Sequence, residues 1–151
     1  MKLSLNRDRA RLPAWMDGTW QRRAARAVAT LPPRSGVINV IVTNDRVIRD
    51  LNRRYRGKDK ATDVLSFSYL ADGTRAGAPA GDVFVSHQTL ARDARRLGVA
   101  PANLALRIVV HGFLHVLGYD HENDAEATRM ERRERVLLRR VLSERNVREL
   151  F

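Results

Sequence analysis

The segment Leu104–Leu117, LALRIVVHGFLHVL, is the most apolar stretch of the chain and constrains the rest of the fold most strongly. It reads as a buried helix around which other elements must pack. Pro101 opens that helix at a position where a missing N–H costs little. Gly118 closes it, because glycine adopts the left-handed conformation that ends a helix. Arg107, His111 and His115 interrupt the apolar run, which also falls short of the about 20 apolar residues that a spanning helix needs. The start, Met1–Asp8, reaches charged residues too early for a signal peptide. The expectation is a cytoplasmic protein that engages no membrane.

Strand and helix signals alternate through the rest of the chain. Lys2–Asn6 alternates briefly, as an edge strand does. Ala14–Leu31 carries helical spacing through Trp15, Trp20, Ala24, Ala27, Val28 and Leu31, and Pro32-Pro33 stops it. The β-branched run Val37–Val42 predicts a strand. Thr43 or Asn44 then caps a helix from about Asp45 to Tyr55. A basic turn, Arg56–Lys60, leads into a strand over Asp63–Tyr69. A Gly/Ala/Pro-rich loop covers Ala71–Ala80, and Gly81–Ser86 supplies the partner strand of a hairpin. Ser86 caps a helix that ends at Leu97 before Gly98. Asp124–Arg145 reads as one amphipathic helix with Met130, Leu137, Leu138, Val141 and Leu142 on its apolar side. The expected fold class is α/β (α+β): a small mixed sheet flanked by helices. No repeat or linker divides the chain, so residues 1–151 are read as one domain.

The chain contains no cysteine, which excludes disulfides, thiolate ligands and a cysteine nucleophile. A transition-metal site must therefore use histidine or carboxylates. The formal net charge is +11. Residues 1–121 hold 20 Lys+Arg against 10 Asp+Glu, and residues 122–151 hold 8 against 7, so the excess lies on the body of the domain. Such a surface attracts polyanions. Arg outnumbers Lys 25 to 3, a bias that genome composition also produces.

Three of the four histidines fall within His111–His121, at spacings of four and six residues. Histidines four apart on a helix project from one face, close enough for both to reach one ion. After the Gly118 break, three residues suffice to bring His121 back over that face. Three imidazoles leave one tetrahedral position open, the arrangement of a catalytic rather than a structural zinc. Imidazole also suits copper, iron and nickel, and zinc is chosen for its frequency in such sites. The expectation is one zinc per chain on His111, His115 and His121, at the end of the buried helix. His87, near a helix start, reads as a surface or capping residue. The pattern parallels the zinc-protease motif His-Glu-x-x-His-x-x-Gly-x-x-His, but Gly112 stands where those enzymes place their general base. Asp120, next to a ligand, is read as an orienting group.

The second informative stretch is basic. From Arg46 to Lys60 there are seven Lys or Arg residues against two Asp. Guanidinium forks match phosphate oxygens, and Tyr55 offers a face on which a base can stack. A solvated helix face followed by a turn would have the same composition.

Together these stretches resemble the YbeY family of bacterial rRNA-maturation endoribonucleases. The signature His-Gly-x-Leu-His-x-x-Gly-Tyr-Asp-His is complete from His111 to His121. A second, Asn-x-x-Tyr-Arg-x-Lys-x-x-x-Thr-Asp-Val-Leu-Ser-Phe, matches Asn52 to Phe67, and Gly81-Asp82-Val83 is similar to the Gly-Asp that opens a family strand. The likeness spans roughly residues 37–140. Ser68 stands where the family usually has proline, and the strong positive charge is unusual for it. The resemblance implies a single-domain mixed-sheet fold and zinc on the three histidines. It further implies metal-dependent cleavage of single-stranded rRNA in 3′-end maturation and ribosome quality control, with ribosomal particles and assembly proteins as partners. It places the family's functionally important arginine at Arg56, here expected to be catalytic. The competing reading is a non-catalytic RNA-binding ribosome-assembly factor with a structural metal. A peptidase relative is a third, weakened by Gly112.

Overall fold

The computed structural model describes residues 1–33, 36–70 and 78–151. The chain runs β1 (Lys2–Arg7), α1 (Gly18–Val28), β2 (Val37–Thr43), α2 (Asp45–Arg56), β3 (Val64–Ser68), β4 (Gly81–Ser86), α3 (His87–Leu97), α4 (Pro101–Val116), α5 (Asp124–Leu138) and α6 (Glu144–Glu149). The strands form a mixed four-stranded sheet in the order β1-β2-β4-β3. β2 pairs in parallel with β1 and β4, while β3 pairs antiparallel with β4. The expected fold class, edge strand and hairpin are all present. Residues 71–77 of the expected loop lie outside the described residues.

Side-chain caps set most of the helix starts. Asn44 and Ser86 accept the backbone N–H groups of Val47 and Thr89, starting α2 and α3. Gly57 and Gly98 end them with φ of 69° and 66°, where a side chain would be strained. Two helical expectations need correction. α1 begins at Gly18 rather than Ala14, because the Asp17 carboxylate accepts the Trp20 N–H at 3.0 Å and makes the cap there. The expected helix Asp124–Arg145 is two helices. α5 ends at Leu138, and the Ser143 hydroxyl caps α6 by accepting the Asn146 N–H at 3.2 Å. That cap offers the chain an alternative to continuing one helix.

α4 is the centre of the core. Ten of its sixteen residues are buried, spread around most of its circumference, and it packs against α1, α3, α5, β3 and β4. Two glycines allow this helix to approach the sheet closely. A Cβ on Gly112 would lie 2.5 Å from Val83 Cγ1, and one on Gly81 would lie 2.7 Å from Val116 Cγ1. Position 112, directly after His111, is thus fixed by packing: the sheet occupies the space where a protease-type glutamate would project. Among the described residues no single helix is long and apolar enough to cross a membrane.

Candidate metal centre

His111 and His115 occupy the last turns of α4, half-buried, with their rings 4.6 Å apart. Beyond the helix, Gly118 takes φ of 92°, and the Tyr119 N–H closes back on the Leu114 carbonyl at 3.0 Å. This reversal carries the exposed His121 ring to 5.6 Å from His111 and 5.0 Å from His115. One nitrogen from each ring lies within 4.8 Å of the others. The Nε2 atoms of His111 and His115 are 3.0 Å apart. Metal–nitrogen bonds of about 2.0–2.1 Å around a tetrahedron place ligand nitrogens roughly 3.4 Å apart, within the range spanned by these separations. The three residues fit one metal ion, and the group could bind one.

The protonation chemistry favours such an ion. His115 is pushed down to about 4 by burial and then by the neighbouring His111 and His121 rings, so it is neutral at physiological pH. The Nδ1 atom of His111 hydrogen-bonds Glu134 Oε1. With Nδ1 turned to the carboxylate, Nε2 is the nitrogen left facing the other rings.

Glu134 did not figure in the sequence reading, although a signal for it exists. It lies four residues after Met130 and three before Leu137, on the buried stripe of α5, and is itself 2% exposed. A carboxylate on an apolar stripe must find a partner, and His111 is one. Asp120, read as an orienting group, acts on the turn: its carboxylate accepts the His121 backbone N–H at 2.8 Å.

Arg56 reaches the same place from another element. The three histidines, Arg56, Lys58 and Ser66 all line one cavity of about 580 Å³. Arg56 donates to the Ser66 carbonyl at 2.7 Å, and its guanidinium carbon sits 5.3 Å from the Phe67 ring centre. Asn52, in the same stretch, is buried and donates to the Lys60 carbonyl at 2.8 Å, tying the basic turn to α2. Tyr55 is 61% exposed, with its ring edge-on to Phe67 at 5.3 Å. The other arginines of α2 face a separate concavity of about 560 Å³ with Arg9, and several are paired there. Asp50 binds Arg53 at 2.7 Å and Arg54 at 3.0 Å, and Asp59 binds Arg49 at 2.9 Å.

Comparison with known proteins places this arrangement. The family model described as Endoribonuclease YbeY matches residues 9–142, further towards the N-terminus than the motifs alone indicate. The chain is 47% identical over 117 residues to the Endoribonuclease YbeY of Anaeromyxobacter sp. (strain Fw109-5), covering 78% of this chain and 60% of that one. It is 46% identical over 107 residues to that of Rhodospirillum rubrum, with 67% and 53% covered. For Rhizobium meliloti the identity is 43% over 117 residues, with 76% and 70% covered. The match thus spans little more than half the length of the first two relatives. The solution structure of TM1509 from Thermotoga maritima shares the fold, with a TM-score of 0.66 at 24% identity over 92% of this chain and 88% of that one. A match over most of the residues, carried by both signatures, means that this chain belongs to the YbeY family.

Proposed function

We propose that this protein is a single-domain, metal-dependent endoribonuclease, acting over residues 1–151 on single-stranded RNA. The observation that carries the reading is the convergence of three imidazoles and the Arg56 guanidinium on one cavity. His111, His115 and His121 are the metal ligands and zinc, one per chain, is the ion. When bound, zinc supplies Lewis acidity towards a phosphoryl oxygen.

The chain's own residues supply the rest. Arg56 spends one of its five N–H donors on the Ser66 carbonyl, which orients the fork, and turns others on charge that builds on non-bridging oxygens as the phosphodiester breaks. Lys58 adds positive charge beside the phosphate. Tyr55 offers an exposed ring to an unpaired base, which favours single strands over duplex. The packing of Gly112 against Val83 excludes the glutamate that peptide hydrolysis would use. The biological substrate in this reading is rRNA, cleaved in 3′-end maturation and ribosome quality control in the cytoplasm.

The deciding experiment incubates the pure protein with end-labelled single-stranded RNA, the same RNA as duplex, and casein, each with and without a chelator. Chelator-sensitive cutting of the single strand alone is expected. RNA binding with no cutting at any metal concentration would favour an assembly factor with a structural metal. Product ends identify the nucleophile: a cyclic phosphate signals attack by the ribose 2′-OH, a 5′-phosphate attack by water.

A further inference from the structure

We infer that Glu134, clamped by Arg107, is a positioning residue that presets His111 for metal binding; the inference rests on the metal reading above. Glu134 is 2% exposed, and a carboxylate at that depth must be paired. Its two oxygens go to different partners. Oε1 meets His111 Nδ1, and Oε2 accepts from Arg107 Nε at 3.3 Å. A bidentate guanidinium fork would take both oxygens and is the stronger geometry for the ion pair. Here one oxygen is turned to the imidazole, which fixes the ring's rotation and keeps its proton on Nδ1. That leaves Nε2, the atom 3.0 Å from His115 Nε2, as the ligand.

Arg107 is held from the other side. It sits one turn before His111 on α4, donates to the Leu150 carbonyl, and stacks over the Phe151 ring at 3.7 Å. Arg135 lies over the same ring at 4.1 Å. The segment after α6 thus braces Arg107, Arg107 braces Glu134, and Glu134 braces His111. Neither Arg107 nor Glu134 lines the cavity that holds the three histidines; Arg107 borders a second concavity of about 240 Å³ together with His111.

The test compares wild type with the double variant Glu134→Leu/Arg107→Met. Replacing a buried ion pair by apolar groups of similar size commonly leaves a fold intact. Circular dichroism and thermal unfolding check that first. Two readouts follow, neither of which is activity: zinc affinity by chelator competition, and the His111 tautomer in metal-free protein by long-range ¹H–¹⁵N spectra. The expected result is the Nδ1–H tautomer in wild type, a shift towards Nε2–H in the double variant, and zinc affinity weaker by about 10-fold or more. Should the double variant not fold, Glu134→Gln keeps the size but not the charge, and its zinc affinity should still drop several-fold. A folded variant with zinc affinity within twofold of wild type and an unchanged tautomer would overturn the role. Wild-type protein that binds no zinc would instead overturn the metal reading itself.

Discussion

The end of α4 and the last turn of α2 meet at one cavity, while the rest of the α2 ridge faces a separate concavity, and the two helices are held in contrasting ways. The α4 histidines sit on a helix with ten buried residues, two glycine-mediated approaches to the sheet and a buried carboxylate behind one ring. In α2 only Ile48 and Asn52 are buried, and Arg49, Arg53 and Arg54 are held by ion pairs in water. Packing holds the first arrangement, so it changes little with salt. The second is electrostatic, so ionic strength tunes it. Arg56 belongs partly to each, since it grows from the exposed helix but is anchored to β3.

The largest effect should come from breaking the rigid half. His115→Ala removes one of the three proposed ligands, and two imidazoles rarely hold zinc against dilution. Elemental analysis should find about one zinc per wild-type chain and a small fraction of that in the variant. Full zinc retention by the triple variant His111→Ala/His115→Ala/His121→Ala would falsify the ligand assignment.

Next comes the residue that joins the halves. Arg56→Ala should keep its zinc and most RNA affinity while single-turnover cleavage slows by at least about 10²-fold. Arg56→Lys should recover part of that loss, because an ammonium cannot hold the Ser66 carbonyl and a phosphate with one planar fork. Cleavage by Arg56→Ala at the wild-type rate would reduce Arg56 to a binding residue.

A smaller effect separates the two elements by stability alone. Gly112→Ala brings a methyl group to 2.5 Å from Val83 Cγ1 in a closely packed interior, so the stability measured by urea unfolding should fall by about 1–3 kcal/mol. Arg54→Ala on the exposed ridge should stay within about 0.5 kcal/mol of wild type. Equal losses at both positions would mean that α4 is not held more tightly than α2.

The same contrast explains what the sequence disclosed. α3 was legible to the residue because Ser86 and Gly98 are local signals that act on their own helix. The histidine cluster was legible because a spacing of four and a glycine stop determine most of its geometry. The break between α5 and α6 was not, since Val141 and Leu142 continue the apolar spacing while the Ser143 cap interrupts it. The Glu134–His111 contact joins residues 23 apart on different helices, and no local pattern specifies such a pairing. The anchoring of Arg56 to Ser66 likewise depends on where β3 lies beside α2.

The smallest expected effect probes the ridge itself. Single-stranded RNA binding loses about 0.7 in log–log salt slope for each phosphate contact removed. If Arg53, Arg54 and Lys58 each met one phosphate, changing all three to Gln would flatten the slope by about 2. But Asp50 already holds Arg53 at 2.7 Å and Arg54 at 3.0 Å, so one carboxylate competes with phosphate for two arginines. The triple variant should therefore lose less than that, with Lys58, which borders the cavity, contributing the clearest share. Asp50→Asn should do the opposite: it frees both arginines, steepens the slope and tightens binding at low salt. Fluorescence-anisotropy titrations across salt concentrations measure both variants against wild type. A steeper slope in Asp50→Asn with a flatter one in the triple variant places RNA along α2 and identifies Asp50 as the residue that restrains it. Unchanged slopes in both would mean that the RNA leaves the cavity by another route, and that the ridge pairs only with itself.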